Sequence, residues 1–216
     1  MIITKPKPLS SLLTSVGKGP VFLIGCSECA TLCHTGGEDE VLALKNEFEQ
    51  QGIVVTGWVI LDPACHRLNS KRLLRPHDKQ LKQAKHVLVL ACGNGVQTVA
   101  SLTGNVVAGT DTIFLGEISR ANEFNRQCSL CGECVVDLFE GKCPVTKCPK
   151  SMLNGPCGGS SEGKCEVNPE MSCVWVKIIE RLKERQKLNN LKTIQPPKDW
   201  SKGTDMRRTL EHEQSK

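Results

Sequence analysis

Val21–Cys26 reads VFLIGC, an unbroken apolar run that starts after Pro20 and ends on a cysteine. A run this short and this uniformly apolar has the length of a strand buried on both faces, not of an amphipathic helix. Downstream, Glu38–Gln51 (EDEVLALKNEFEQQ) carries apolar residues at 41, 42, 44 and 48, the pattern of an amphipathic helix, and Gly52 supplies its C-terminal stop. Ile53–Leu61 (IVVTGWVIL) is rich in β-branched residues and predicts a second strand. A short helix over 78–85, a buried strand over His86–Ala91 (HVLVLA), a helix over 94–102 and a fourth strand over Asp111–Leu115 (DTIFL) complete the alternation. Strand–helix alternation with continuous apolar strands predicts a small flavodoxin- or Rossmann-like parallel sheet over residues 1–120, covered on both faces.

Three of these strand runs lead into a cysteine: Cys26, Cys65 and Cys92. Ligand sites of open α/β sheets form outside the carboxyl ends of the strands, so the pattern gathers these cysteines on one sheet edge.

The chain holds thirteen cysteines in 216 residues. An odd total does not pair completely into internal disulfides. The opening MIITKPKPLS lacks the apolar stretch of a signal peptide, and no apolar run is long enough to cross a bilayer. A cytoplasmic location without membrane insertion is therefore expected, where thiols stay reduced and clustered cysteines serve as metal ligands. Aromatic residues make up only 4% and tyrosine is absent, so one modest core is all that apolar packing is expected to supply.

Residues 128–173 hold eight cysteines, no histidine, many Gly and Pro, and few large apolar residues. Such a segment is expected to fold around metal. Its sharpest pattern is Cys128-x2-Cys131-x2-Cys134 followed by Cys143-Pro144 and Cys148-Pro149, the spacing with which ferredoxin-type proteins wrap a [4Fe–4S] cubane. Cys157, Cys165 and Cys173 bring the total to two four-thiolate sets. The favoured grouping is Cys128, Cys131, Cys134 and Cys173 in one, and Cys143, Cys148, Cys157 and Cys165 in the other. Zinc competes for one of these sets, because four-cysteine zinc sites also stabilise small domains.

A second pattern, Cys26-x2-Cys29-x3-Cys33, follows the first strand and precedes Gly36-Gly37. Three thiolates within eight residues exceed a redox Cys-x-x-Cys and require a fourth ligand from elsewhere. Cys92 is preferred, since Cys92-Gly93-Asn94-Gly95 leaves the backbone bare. Cys65 is the alternative, or else a buried thiol.

Other signals are weaker. Gly93-x-Gly95 lacks the third glycine of a dinucleotide fingerprint, and no phosphate-binding loop of the G-x-x-x-x-G-K-[ST] type is present. The histidines are scattered, with His34 the nearest to a candidate site. Ser70–Pro76 (SKRLLRP) is a basic stretch on a predicted helix surface. Helical periodicity resumes after Cys173, with Val174, Trp175, Ile178, Ile179 and Leu182 on one face. Residues 177–216, read as a C-terminal helix and tail, carry 11 Lys/Arg and 6 Asp/Glu and so hold the whole net charge of +5. The basic charge lies off the cysteine-rich segment and is not interleaved with aromatics, which argues against a nucleic-acid partner.

The stretch from Cys143 to Gly159 (CPVTKCPKSMLNGPCGG), with Gly163-Lys-Cys165-Glu-Val and Cys173-Val-Trp, resembles the methylenetetrahydrofolate reductase C-terminal, or MetV, family. Gly25–Gly37 (GCSECATLCHTGG), Asn69–His77 (NSKRLLRPH) and Val89–Gly95 (VLACGNG) resemble the same family. The resemblance implies a subunit rather than a self-sufficient enzyme. Its implied partner is a MetF-type flavoprotein that reduces 5,10-methylenetetrahydrofolate in one-carbon metabolism, notably in the methyl branch of the reductive acetyl-CoA pathway. The implied cofactors are two or three [4Fe–4S] clusters, with zinc in place of one as the alternative. The implied role is electron relay from ferredoxin or an electron-bifurcating complex, and a zinc-stabilised assembly subunit is the competing reading. The expected organisation is an α/β domain over 1–120, a cysteine-rich metal domain over 121–176, and a helix and tail over 177–216.

Overall fold

The computed structural model describes residues 1–120 and 122–204, and the last part of the expected tail lies outside them. The chain divides into two compact units, Met1–Asn125 and Arg126–Lys216.

The first unit begins with strand β1 (Ile2–Pro6) and helix α1 (Leu9–Val16). Strand β2 (Val21–Cys26), the short α2 (Cys29–Leu32), α3 (Glu38–Gln50) and β3 (Val55–Leu61) follow. Then come α4 (Arg67–Leu74), a 3-10 turn at Arg75–His77, α5 (Asp78–Gln83), β4 (His86–Val89), α6 (Gly93–Thr103) and β5 (Val106–Ala108). The strands β3-β2-β4-β5 form a parallel sheet in that order. All six residues of β2 are buried, as its continuous apolar sequence requires of a central strand.

Alternation along β2 divides the core. Phe22, Ile24 and Cys26 pack with Leu61, Leu74, Val89 and Val99 on the face covered by α4 and α6. Val21 and Leu23 pack with Leu12, Val16, Val41, Leu44 and Phe48 on the face covered by α1 and α3. The expected helix over 38–51 and the parallel sheet covered on both faces are therefore present.

The fourth strand differs from expectation. β5, not DTIFL, completes the parallel sheet, pairing Val87 with Val106 and Val89 with Ala108. DTIFL lies within the long β6 (Thr110–Arg120), which pairs antiparallel with β1 and joins β7 (Glu123–Cys128) in a separate three-stranded sheet of order β1-β6-β7. Strand propensity at 111–115 is real, but periodicity does not say which partner satisfies its backbone.

In the second unit the regular elements include α7 (Pro144–Lys147) and α8 (Val174–Glu184). The helical pattern after Cys173 stops at Glu184, and a 3-10 turn at Leu188–Lys192 follows. A small apolar core is present here: Val174, Trp175, Ile178 and Leu182 of α8 pack on Val135 and Phe139. The Trp175 indole meets the Phe139 ring edge-on at 5.4 Å and donates a 2.9 Å hydrogen bond to the Met152 carbonyl. α8 thus belongs to the cysteine-rich unit and supplies the apolar face that residues 128–173 lack.

Candidate metal centres

The carboxyl ends of β2, β3 and β4 face one side of the parallel sheet, and a cysteine follows or ends each. Cys26 is the last residue of β2. Cys65 sits in the turn between β3 and α4, and Cys92 caps the N-terminus of α6. Hydrogen bonds hold these turns together. The Ser27 hydroxyl donates to Asp62 at 2.7 Å, bridging the β2 and β3 ends. The buried Ser70 of α4 donates to the Ala64 carbonyl at 3.1 Å, fixing the residue before Cys65. Gly95 completes the fit: a Cβ there would stand 2.9 Å from the side chains of Ala64 and Ala91, so only glycine lets the first turn of α6 approach the Cys65 turn.

Cys65 reports the result. Partial burial pushes its thiol up, and the neighbouring sulfurs of Cys92, Cys26 and Cys29 push it further. Cys92, Cys26 and Cys29 thus each lie within electrostatic reach of Cys65. Cys65 is exposed rather than a buried thiol, and both it and Cys92 lie at this sheet edge. Cys33 is buried, with its sulfur 3.7 Å from the Ile2 carbonyl, and the Ile2 N–H donates to Cys29 Sγ at 3.4 Å, so both sulfurs lie against Ile2. His34 points away from the cysteines. Its side chain is largely exposed, 3.9 Å from Glu40, and lines a shallow cavity with Lys7 and Glu47 that no cysteine touches.

The second unit sorts its eight cysteines into two neighbourhoods, and the sorting differs from the spacing-based grouping. Cys148, Cys157, Cys165 and Cys173 line one cavity, so Cys173 keeps company with these three and not with the Cys128–Cys134 loop. Cys173 caps the N-terminus of α8, which puts the positive end of that helix dipole beside its sulfur. Backbone hydrogen bonds shape the wall: Cys165 N–H donates to the Met171 carbonyl at 2.9 Å and Cys173 N–H to the Gly163 carbonyl at 2.8 Å.

Two charged residues that spacing did not mark also line this cavity. Glu166 pairs with Lys150 and accepts a 3.1 Å hydrogen bond from the Cys157 thiol. The bond from Lys150 is the main reason that Glu166 lies below the ordinary glutamate range. A Cys-x-Lys or Cys-Glu pattern is too common for sequence to single either out.

Cys128, Cys131, Cys134 and Cys143 do not line that cavity, and the loop of the first three is linked to the turn of Cys143. The 128–134 loop is curled by left-handed backbone at Leu130 (φ 54°) and Gly132 (φ 76°), and the Leu130 N–H donates back to Cys128 Sγ at 3.3 Å. Ser129 and Thr146 share a hydroxyl hydrogen bond of 2.9 Å, and Cys143 Sγ lies 3.6 Å from the same Thr146 Oγ1. That contact draws the Cys143 turn to the triplet.

None of the thirteen cysteines is in a disulfide. Among the described residues no three Cys, His, Asp or Glu side chains stand close enough to hold a single metal ion as they are. The donor chemistry is that of soft thiolate sites, which suit iron–sulfur clusters and zinc.

Fold and sites together define a parallel α/β unit with cysteines at its strand ends, joined to a cysteine-rich unit closed by one amphipathic helix. Residues 107–201 match the family described as methylene-tetrahydrofolate reductase C terminal, consistent with a MetV-type subunit. All eight cysteines of the second unit fall inside that match, and those of the sheet edge lie before it. No curated protein and no solved structure matches the chain. Among the described residues no helix is long and apolar enough to cross a membrane.

Proposed function

We propose that this chain is the iron–sulfur electron-transfer subunit of a methylenetetrahydrofolate reductase complex, relaying electrons between an external donor and the flavin of a MetF-type partner. The observation that carries the reading is the placement of Cys26, Cys65 and Cys92 at the carboxyl edge of the parallel sheet, with Cys29 opening the helix that follows Cys26. The family match over 107–201 supports the reductase context. A cubane binds one thiolate at each of its irons, so its sulfurs stand farther apart than around a single ion. Thiols within electrostatic reach of Cys65, yet with no three close enough for a single ion among the described residues, suit that spread.

The sheet-edge set would hold one cluster, and Cys128, Cys131, Cys134 and Cys143 a second. Cys148, Cys157, Cys165 and Cys173 would hold the third metal group. Such clusters supply one-electron steps at potentials set by charge, hydrogen bonding and exposure. The chain's own groups act on those variables: N–H donors from Ile2 and Leu130 reach cysteine sulfurs, and the α6 and α8 dipoles favour negative charge at Cys92 and Cys173. Folate reduction would belong to the partner's flavin, and this chain would carry no substrate chemistry. The strand order β3-β2-β4-β5 supports a flavodoxin- or Rossmann-like reading of the sheet, here used to position cysteines and not a nucleotide.

Zinc is the second reading for the Cys148–Cys173 set alone, because Glu166 places an oxygen donor among its thiols. The test is anaerobic purification with iron, sulfide and zinc counted per chain, then spectra before and after dithionite. Eight or more irons with a reducible absorbance are expected. Zinc alone, with no reducible centre, overturns the electron-transfer reading in favour of a structural subunit.

A further inference from the structure

The sheet-edge cysteine site has a strongly cationic neighbour that the reading above leaves unused. Between His66 and His86 the chain carries seven Lys/Arg against Asp78 as its single acid. Arg67, Lys71, Arg72, Arg75, Lys79 and Lys82 are all exposed, and none is held in an ion pair among the described residues. Charges that serve only folding are usually paired or dispersed; these are concentrated on α4, the following turn and α5.

Helix geometry makes this one face. Arg67, Lys71 and Arg75 follow at four-residue spacing, with Arg72 beside them, while Ser70 and Leu74 turn to the core. In the middle of the positive charge Leu68 is 77% exposed, an apolar contact point with no cover in this chain. α4 begins two residues after Cys65, the exposed member of the sheet-edge set. A cationic surface with an apolar centre, lying against the most accessible cysteine of a candidate redox site, has the composition of an electrostatically steered docking face.

We infer that the α4–α5 surface docks an acidic one-electron carrier protein, which delivers its electron to the sheet-edge centre beside Cys65. The inference rests on the electron-transfer reading and adds to it where the donor binds. One electron leaves the reduced carrier and enters the chain's oxidised centre; no bond is made or broken. The charge excess of residues 177–216 is then not the donor's landing site, although it accounts for the net charge of the whole chain.

The test uses the full, metal-loaded chain and a strongly acidic ferredoxin as probe. Two measurements are made: binding of the oxidised probe as a function of salt, and stopped-flow reduction by the pre-reduced probe. The variant is Arg67→Glu/Lys71→Glu/Arg72→Glu, with Arg67→Gln/Lys71→Gln/Arg72→Gln as the milder form should the reversal fail to fold. A matched reversal outside the patch, Lys183→Glu/Arg185→Glu/Lys192→Glu, controls for net charge.

In the patch variant, binding and the second-order rate constant are expected to fall about ten- to a hundredfold at low ionic strength, with a flattened salt dependence. Reduction by dithionite and the tail control are expected to stay within about twofold of the parent. Loss in the tail control as large as in the patch variant, or no change in the patch variant, overturns the inference. Tighter binding of a single-stranded 20-mer DNA than of ferredoxin, lost in the same variant, overturns it in favour of a nucleic-acid surface. A chain that dithionite does not reduce, yet whose probe binding depends on the patch, places the failure in the electron-transfer reading and not in the docking surface.

Discussion

The hydroxyls of Ser129 and Thr146 share a hydrogen bond of 2.9 Å across 17 residues of chain. Ser129 lies inside the Cys128–Cys134 loop and Thr146 on α7, three residues after Cys143. The bond is half-buried, so it ties the loop of the triplet to the turn that carries Cys143. Thr146→Val keeps the shape of the side chain and removes the hydroxyl. The expected cost is about 1 kcal/mol. Iron release to a chelator from the Cys128–Cys143 set should quicken, while the Cys148–Cys173 set keeps its metal.

Five cysteines, Cys26, Cys29, Cys33, Cys65 and Cys92, compete for four ligand places at the sheet edge. Cys65 feels the sulfurs of Cys92, Cys26 and Cys29, and Cys33 turns to the Ile2 carbonyl. Cys65→Ser and Cys92→Ser are each expected to lose one cluster's worth of iron and sulfide per chain. Cys33→Ser is expected to keep the full count. Iron analysis of the three variants, each purified anaerobically, decides between the two assignments.

Gly36 carries a different constraint. Its carbonyl accepts the Cys26 N–H at 2.8 Å, and a Cβ on it would lie 1.9 Å from the Leu90 carbonyl oxygen. The obstacle is backbone, so no rotamer change relieves it. Gly36→Ala is expected to destabilise the first unit by about 1–3 kcal/mol, read as a lower denaturant midpoint. The displaced Cys26 should also lower metal retention at the sheet edge.

These sites show which parts of the structure were legible in sequence. VFLIGC and HVLVLA were readable as buried strands because a strand covered on both faces has no polar positions. The convergence of Cys26, Cys65 and Cys92 followed from strand direction alone. DTIFL was readable as a strand but not as a member of the second sheet, since its partner is Ile2–Pro6, more than a hundred residues away. That Cys173 lines a cavity with Cys148, Cys157 and Cys165 was not readable for a similar reason: its position depends on how α8 packs on Val135 and Phe139, a tertiary fact that cysteine spacing does not encode. Lys150 and Glu166 carried no signal at all, being ordinary surface residue types until the fold brings them to Cys157.

The turn at Glu140 is tied to the chain beyond α8 by a 2.6 Å bond from Lys187. That bond, first, and the positive charges of Lys187, Arg185 and Arg181 hold the Glu140 carboxyl below the ordinary glutamate range. A carboxylate with a depressed folded-state value contributes stability that is present above its unfolded value, near ~4.3, and is lost as pH falls through the folded value. Glu140→Gln should therefore be less stable than the parent at pH 7, and the difference should shrink as pH falls through and below the ordinary glutamate range. Denaturant unfolding of both proteins across that range measures it, and because the pair is at the surface, added salt should shrink the difference.

Trp175 decides whether the second unit has apolar stability of its own apart from metal. It is 1% exposed, meets Phe139 edge-on, and donates its indole N–H to the Met152 carbonyl. Trp175→Ala removes the ring and leaves that carbonyl without its donor, at an expected cost of about 3–5 kcal/mol. Trp175→Phe keeps most of the ring contact and loses the hydrogen bond, which should cost about 1–3 kcal/mol from the unsatisfied acceptor. Both losses should appear in the metal-loaded protein and again after the metal is removed. If metal removal alone abolishes the cooperative unfolding of residues 126–204, the α8 core is secondary and the metal groups hold the unit together. If a cooperative transition survives and is lost only in Trp175→Ala, the helix face is an independent source of stability. The second outcome is expected, because four α8 side chains are buried against Val135 and Phe139, with the partly buried Cys148 and Cys173 only packed onto that cluster from outside.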